Sequence, residues 1–137
     1  MDAGNSFSDS SLARLRHVAC EEPRLAAIYL VGDLRREGGY DLAALFTDSL
    51  PWSDRLDLEM AVADALGVDR IELIDLRRMA LVFRFGVVRQ GDLIYVGLPT
   101  DLAKFIEETV TRYSAFYPLL EALYWKVEAH PLPEDRL

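Results

Sequence analysis

Two apolar runs separated by a polar, glycine-bearing segment dominate the first fifty residues. Residues 25–31 and 42–46 are rich in Ile, Leu, Val and aromatic side chains, a composition typical of buried strands. The segment between them contains three glycines and the charged residues Asp33, Arg35, Arg36, Glu37 and Asp41. We therefore expect a polar loop over residues 32–41, held between two strand ends, where chemistry is commonly placed.

Apolar positions at helical spacing predict one helix on each side of this strand pair. The first helix is capped by Ser10 or Ser11 and runs to about Cys20. The second begins at a Ser53 cap and ends at Gly67. Its expected buried stripe is Leu56, Met60, Ala63 and Leu66.

Residues 68–76 alternate between apolar and polar side chains and predict a third strand. In such a strand Ile71 and Leu73 face one way, whereas Glu72 and Ile74 face the other. Glu72 stands out, because an isolated buried carboxylate is costly.

Residues 77–98 allow two interpretations. Residues 77–85 fit a short helix, followed by strands at 87–89 and 93–96 that a tight turn at Gly91 would join. Alternatively, residues 81–88 are extended throughout.

A long helical pattern begins at Pro99, where Thr100 and Asp101 are a favourable start for a helix. Pro118 is expected to break or kink this helix, and a second helical stretch follows to about Glu128. The expected buried stripe is Leu102, Phe105, Ile106, Val110 and Tyr113.

The charge balance limits the classes of partner. Fifteen Lys and Arg against 23 Asp and Glu give a net charge of -8, which argues against charge-driven binding to DNA or RNA. The single cysteine excludes an internal disulfide and suits a cytoplasmic protein. We expect neither a membrane span nor a secretion signal at the N-terminus.

The predicted elements fit one domain, because 137 residues is close to the commonest length of a single domain. We expect an α/β (α+β) fold with a small mixed sheet of about four or five strands and helices mainly on one face. The expected divisions are a disordered lead-in at residues 1–10, a core at 11–98, a helical segment at 99–129 and a tail at 130–137.

The order of these elements resembles the minimal nucleotidyltransferases (MNT), small members of the DNA polymerase beta-like superfamily. That family has Gly-Ser after the first strand, Ser-Asp-x-Asp-Leu at the start of the second, and a third acid in a later strand. The corresponding phrases here are VGDLRREGGYDLAALF and IELIDLRRMALVFRFGVVRQGDLIYVG, and the likeness covers roughly residues 12–113.

The resemblance implies a site for ATP and Mg²⁺, but two motif positions differ. Asp33 stands where the family has serine, and Gly39 stands where it has the first metal-binding aspartate. Asp41 and Glu72 match the second and third acids, which makes them the candidate catalytic residues. A negative charge at Asp33 would repel a polyphosphate by about 4 kcal/mol per charge pair at ~4 Å.

The candidate metal ligands are Asp33, Asp41 and Glu72, with Asp33 as a replacement for the missing acid. The candidate nucleotide-binding residues are Gly32, Asp33, Arg35 and Arg36. Each has a plainer alternative. Asp41 can bind local backbone N–H groups, Glu72 can be edge-exposed or salt-bridged, and the arginines can be solvated.

Three functional hypotheses remain open, of which the resemblance implies the first two and the third treats the motif match as coincidental. The first is an antitoxin that neutralises a helical HEPN-type toxin, a ribonuclease, by binding alone through a fold whose metal site is eroded and which needs no cofactor. The second is an active Mg²⁺-dependent enzyme that transfers AMP from ATP to a protein. The third is an unrelated α/β dimer.

An aromatic-rich stretch follows the region of resemblance. Exposed aromatic patches often mark interfaces. We therefore expect this segment to form a homodimer or to bind a partner. Its candidate interface residues are Tyr113, Phe116, Tyr117, Tyr124 and Trp125.

Overall fold

The structure, a computed structural model, describes residues 7–36 and 39–129, with the side chains of 32–36, 39 and 124–129 outside that description. The expectations for residues 1–6, for Glu37 and for the tail at 130–137 therefore lie outside the described residues. The helices are α1 Asp9–Ala19, α2 Trp52–Leu66, α3 Leu81–Gln90 and α4 Pro99–Ala129, with a 3₁₀ turn at Leu76–Arg78. The strands are β1 Leu25–Arg36, β2 Gly39–Phe46, β3 Arg70–Asp75 and β4 Asp92–Val96.

The strands form one four-stranded mixed sheet in the order β3-β2-β1-β4. β1 pairs antiparallel with β2 and with β4, whereas β2 and β3 are parallel. A parallel pair needs a crossover connection, and α2 supplies it between β2 and β3. The predicted α+β fold class and mixed sheet are confirmed.

The helices are shared between the two faces of the sheet more evenly than expected. One core cluster joins α1 and α2 to side chains such as Ile28, Leu42 and Leu73. A second cluster joins α3 and the start of α4 to the intervening positions, among them Tyr29 and Leu45. Alternate residues of each central strand therefore serve different helix pairs.

The first two helices begin slightly differently from the prediction. Ser8 caps α1 by accepting a hydrogen bond from the Ser11 N–H at 3.1 Å, so the predicted caps Ser10 and Ser11 lie inside the helix. Ser53 does not cap α2, because the helix starts at Trp52 behind Pro51 with no side-chain cap. Gly67 ends α2 as predicted, with a left-handed φ of 73° that favours glycine.

The buried face of α2 is rotated from the predicted stripe. Leu56 and Met60 are exposed, whereas Ala63 and Leu66 are buried as expected. The remaining buried positions are Leu58, Val62 and Ala65. The spacing of apolar residues could not distinguish the predicted stripe from the observed one, because α2 has apolar side chains along both.

The predicted polar loop at residues 32–41 is largely strand. β1 continues to Arg36 and β2 starts at Gly39, with Arg36 paired to Gly39 and Arg35 to Tyr40. The register shifts between Leu30 and Arg35. The prediction failed because glycine and charged residues are typical of loops, but they also occur in strands that extend beyond the core.

Residues 81–90 form helix α3, so the strand predicted at 87–89 and the extended alternative for 81–88 are both wrong. Gly91 joins this helix directly to β4. A Cβ at Gly91 would lie 2.7 Å from the Val87 carbonyl oxygen, which explains why glycine is needed there. The strand predicted at 93–96 is confirmed within β4.

The last helix begins at Pro99 as predicted and continues through Pro118 to Ala129. The proline does not end the helix, although it removes the backbone hydrogen bond to the Ser114 carbonyl and its ring crowds that carbonyl. Thr109 rather than Val110 completes the buried stripe.

Among the described residues, none of the helices has the length and hydropathy required to span a bilayer.

Candidate functional site

Asp41 and Glu72 lie side by side in the sheet. They are paired residues in the parallel ladder between β2 and β3, so both side chains leave the same face, with the strands about 4.8 Å apart. Each is the third residue of its strand, which places both near the end where these strands begin. The structure therefore brings the two predicted acids together.

The two carboxylates differ in exposure. Asp41 is only 3% exposed, although it lies near the beginning of β2, and it has interaction partners. Glu72 is exposed on β3, an edge strand of the described sheet. That position avoids the desolvation cost of a buried carboxylate and matches the edge-exposed alternative for Glu72.

The glycine-bearing end of β1 reaches the same end of the sheet. Because β1 is antiparallel to β2, its last residue Arg36 pairs with Gly39, two residues before Asp41. Gly32 and Asp33 lie within β1, in the interval where the register shifts. The side chains of Asp33, Arg35 and Arg36 lie outside the described side chains, so their roles stay predictions.

Of the three predicted metal ligands, Asp41 and Glu72 are the two whose side chains are described. No group of three or more His, Cys, Asp or Glu side chains within the described part of the chain is placed to hold an ion. Mg²⁺ often binds one or two protein carboxylates and completes its shell with phosphates and water. The Asp41–Glu72 pair therefore fits that minimum.

Glu72 also borders a cleft between α2 and β3, with a volume of about 440 Å³. Its wall combines Trp52, Leu56 and Met60 with the charged side chains Arg55 and Glu59. Asp41 is not among the lining residues. This cleft is consequently a separate feature from the Asp41–Glu72 pair.

The residues of the predicted aromatic interface differ in their surroundings. Tyr113 is half-buried and stacks on Phe85 of α3, with ring centroids 3.8 Å apart and planes 6° apart. Tyr117 is exposed, and its hydrogen bond to the Glu121 carboxylate raises the pKa of its phenol. Tyr124 and Trp125 continue α4, with side chains outside the description.

Leucines carry much of the exposed apolar surface at this end of the molecule. Leu119 is 67% and Leu123 60% exposed, and with Phe116, Leu120 and Ala122 they line a shallow cavity of about 250 Å³. Sequence reasoning had singled out the aromatic residues instead. The helical repeat of Leu119 and Leu123 was the available signal. We call these five residues the α4 surface.

No protein-family model matches the sequence, and no curated protein matches it at a significant level.

Solved structures do match the fold. The MntA–HepT toxin–antitoxin structure is 26% identical over 88% of this chain and 99% of its own, with a TM-score of 0.61. A tri-AMPylated HEPN toxin of Shewanella oneidensis in complex with MNT antitoxin gives 27% identity, 86% and 96% coverage and a TM-score of 0.60. A toxin–antitoxin structure with AMP-PNP gives 28% identity, the same coverages and a TM-score of 0.58.

These likenesses span nearly the full length of the matched chains. The chain therefore has a nucleotidyltransferase fold like that of the MNT antitoxins in these structures.

Proposed function

We propose that this chain is the antitoxin of a HEPN-type toxin and that it neutralises the toxin by direct binding in the cytoplasm. The observation that carries the proposal is the match, over almost the entire chain, to MNT antitoxins solved with HEPN toxins. A fold by itself does not define a function. The surface on which the partner binds must also be present.

The α4 surface is the docking site that we propose for the toxin. Its apolar side chains lie on a helix beyond the packed core, and monomeric proteins rarely leave such a contiguous patch uncovered. A helical toxin can cover it by packing a helix against Leu119 and Leu123, with side chains interleaved as between any two helices.

A binding mechanism suits the altered motif. Gly39 replaces a carboxylate that both metal ions would share in the family's pattern, and Asp33 adds a negative charge where phosphate would bind.

The direct experiment is co-purification with the HEPN-type protein of the adjoining reading frame, recognised by Arg-x-x-x-x-His. Wild-type chain is expected to form a stable complex in the absence of nucleotide. The Leu119→Asp/Leu123→Asp variant should lose it while folding normally. A Leu56→Asp/Met60→Asp variant, exposed on α2, is the matched control and should bind as wild type does. Binding that is unaffected by the α4 changes would contradict this docking site.

A second candidate function is AMP transfer from ATP to a protein. The adjacency of Asp41 and Glu72 favours it, because two neighbouring carboxylates can hold a Mg²⁺ that ATP also binds. The metal, when bound, would neutralise charge on the transferred phosphate. Asp41 and Glu72 would position that ion, and Asp33 would supply the third ligand.

Calorimetry separates the two candidates. Heat on titration of ATP with Mg²⁺, lost in Asp41→Asn, would support the enzyme. No heat at millimolar nucleotide would support binding alone. Restoring the motif with Asp33→Ser and Gly39→Asp should then create Mg²⁺-dependent ATP binding, if these two positions are what prevents it.

A further inference from the structure

Two side chains of α2 bind the backbone of the edge strand β3. The Leu73 N–H donates to Glu59 Oε2 at 2.7 Å, and Arg55 Nη2 donates to the Leu73 carbonyl oxygen. Arg55 and Glu59 are four residues apart on α2 and pair with each other, Nε to Oε2, at 3.6 Å. We call this arrangement the Leu73 clasp.

The clasp occupies a position at which another strand could pair. β3 has only β2 beside it in the described sheet, so its other side is an open edge. Edge strands recruit strands from other molecules through their outward N–H and C=O groups. The backbone N–H and C=O of Leu73 bond to side chains of α2 rather than to β2, so they point away from the sheet. Because these directions alternate along a strand, the N–H and C=O of Ile71 point the same way.

An exposed apolar row lies beside this edge. Trp52, Leu56 and Met60, four residues apart on α2, line the cleft that runs along Arg70, Ile71 and Glu72. Trp52 is 76% and Met60 63% exposed. An added strand would therefore gain apolar contact in addition to backbone hydrogen bonds, which makes this edge a particular hazard for association.

We propose that the Leu73 clasp prevents β3 from pairing with β3 of a second copy of this chain. The inference is independent of the proposed function, which involves α4. Charge complementarity identifies the second copy as the occupant. In an antiparallel pair centred on Ile71, Arg70 of each copy lies directly opposite Glu72 of the other.

That register is also the one the backbone permits. Residues that face each other as a hydrogen-bonded pair must both point their N–H and C=O groups outward, as Ile71 does. The same register places Leu73 opposite Asp69 of the second copy, so it needs the Leu73 groups that the clasp occupies. With the clasp closed, a single residue pair is left, which is too little for a stable interface.

The test compares two ion-pair deletions by sedimentation velocity over a range of concentrations. Arg55→Ala/Glu59→Ala should shift the distribution toward twice the wild-type mass as concentration rises. Glu108→Ala/Arg112→Ala, which removes an exposed pair with the same spacing on α4, should leave it unchanged. A folded clasp variant that sediments as wild type does at every concentration would overturn the proposal.

Charge variants identify the interface. Adding Glu72→Lys to the clasp variant should abolish association, because it places Lys opposite Arg70. Adding Arg70→Glu as well should restore it. Association that is the same in all of these charge variants would overturn the pairing of β3 with β3.

A conservative variant covers the case in which the double alanine change unfolds the chain. Arg55→Lys/Glu59→Gln keeps the packing but weakens both bonds to Leu73, so it should associate at higher concentration than the alanine variant. In wild type, hydrogen exchange should be at least tenfold slower at Leu73 than at Ile71. Equal rates, or no association of the conservative variant at any concentration, would contradict the clasp.

Discussion

The second half of α4 is richer in apolar residues than the first, yet it is the first half that is buried. In the first half Leu102, Phe105 and Thr109 are buried against the sheet and α3. Beyond Thr109 no described residue of α4 is buried, and Leu119 and Leu123 are largely exposed. The same helical pattern thus predicts a helix in both halves, but it does not predict what covers the helix.

The reason for the difference is the extent of the sheet. Small side chains such as Ala27 and Ala43 let the first half of α4 lie close to the strands. The stacked pair Phe85 and Tyr113 marks the far end of that packing. From Tyr113 to Ala129 the helix rises about 24 Å, at about 1.5 Å per residue, without a buried contact among the described side chains.

The largest effect is expected from removing the anchor of the buried half. Phe105 is 1% exposed, and Phe105→Ala should lower the free energy of unfolding by about 3–5 kcal/mol through lost burial and a cavity. Urea denaturation measures it. Leu119→Ala is the matched change in the exposed half and should cost less than about 0.5 kcal/mol. Equal costs would mean that both halves are packed in the free chain.

The proline of the exposed half gives the next largest effect. Pro118→Ala restores one backbone hydrogen bond and removes a clash, which should stabilise the local helix by up to about 3 kcal/mol. Hydrogen exchange should slow at residues 114–123 and stay unchanged at 102–109. Slowing in both segments would show that the two halves unfold together.

The exposed half should matter for binding rather than for folding. Leu119→Asp and Leu123→Asp should each weaken toxin binding by about 2 kcal/mol, roughly 30-fold, as at the centre of an interface. Their unfolding midpoints should stay near that of wild type. Calorimetric titration measures toxin binding, and thermal melts measure the stability of the free chain. A lowered unfolding midpoint with unchanged toxin binding would contradict the proposed difference between the two halves of α4.

The smallest effect concerns alkaline pH. Burial beneath the first half of α4 and α3 raises the pKa of the Tyr29 phenol above its ordinary value of 10.0. The neutral form is favoured in the folded state, so this contribution to stability is present below pH 10 and is lost as the pH rises through the folded pKa. Tyr29→Phe should show a shallower decline in unfolding midpoint above pH 10, and an unchanged slope would contradict this assignment.

The sequence predicted the fold well where one face of an element is buried. The order of strands β1 to β3, the alternation of Ile71 and Leu73, and the start of α4 all follow from local patterns. The errors occurred where contacts with another element of the fold determine the secondary structure. Residues 87–89 have strand-like composition, yet they are helical because α3 packs between β1 and α4.

The candidate site was predictable in part for the same reason. The motif phrases matched Asp41 and Glu72 to two acids of one site, and the ladder between β2 and β3 pairs them. The extended backbone at Gly32 and Asp33 was not predictable, since glycine and charge favour a loop locally. The clasp was also missed, although Arg55 and Glu59 have the spacing of a helical ion pair.

The central claim is neutralisation by binding without nucleotide transfer. The most direct measurement combines a ribonuclease assay of the HEPN-type toxin with intact mass spectrometry, with and without ATP and Mg²⁺. Our account predicts full inhibition at stoichiometric antitoxin in both conditions and an unchanged toxin mass. Inhibition that requires ATP and Mg²⁺, accompanied by a toxin mass increased by AMP, would contradict it.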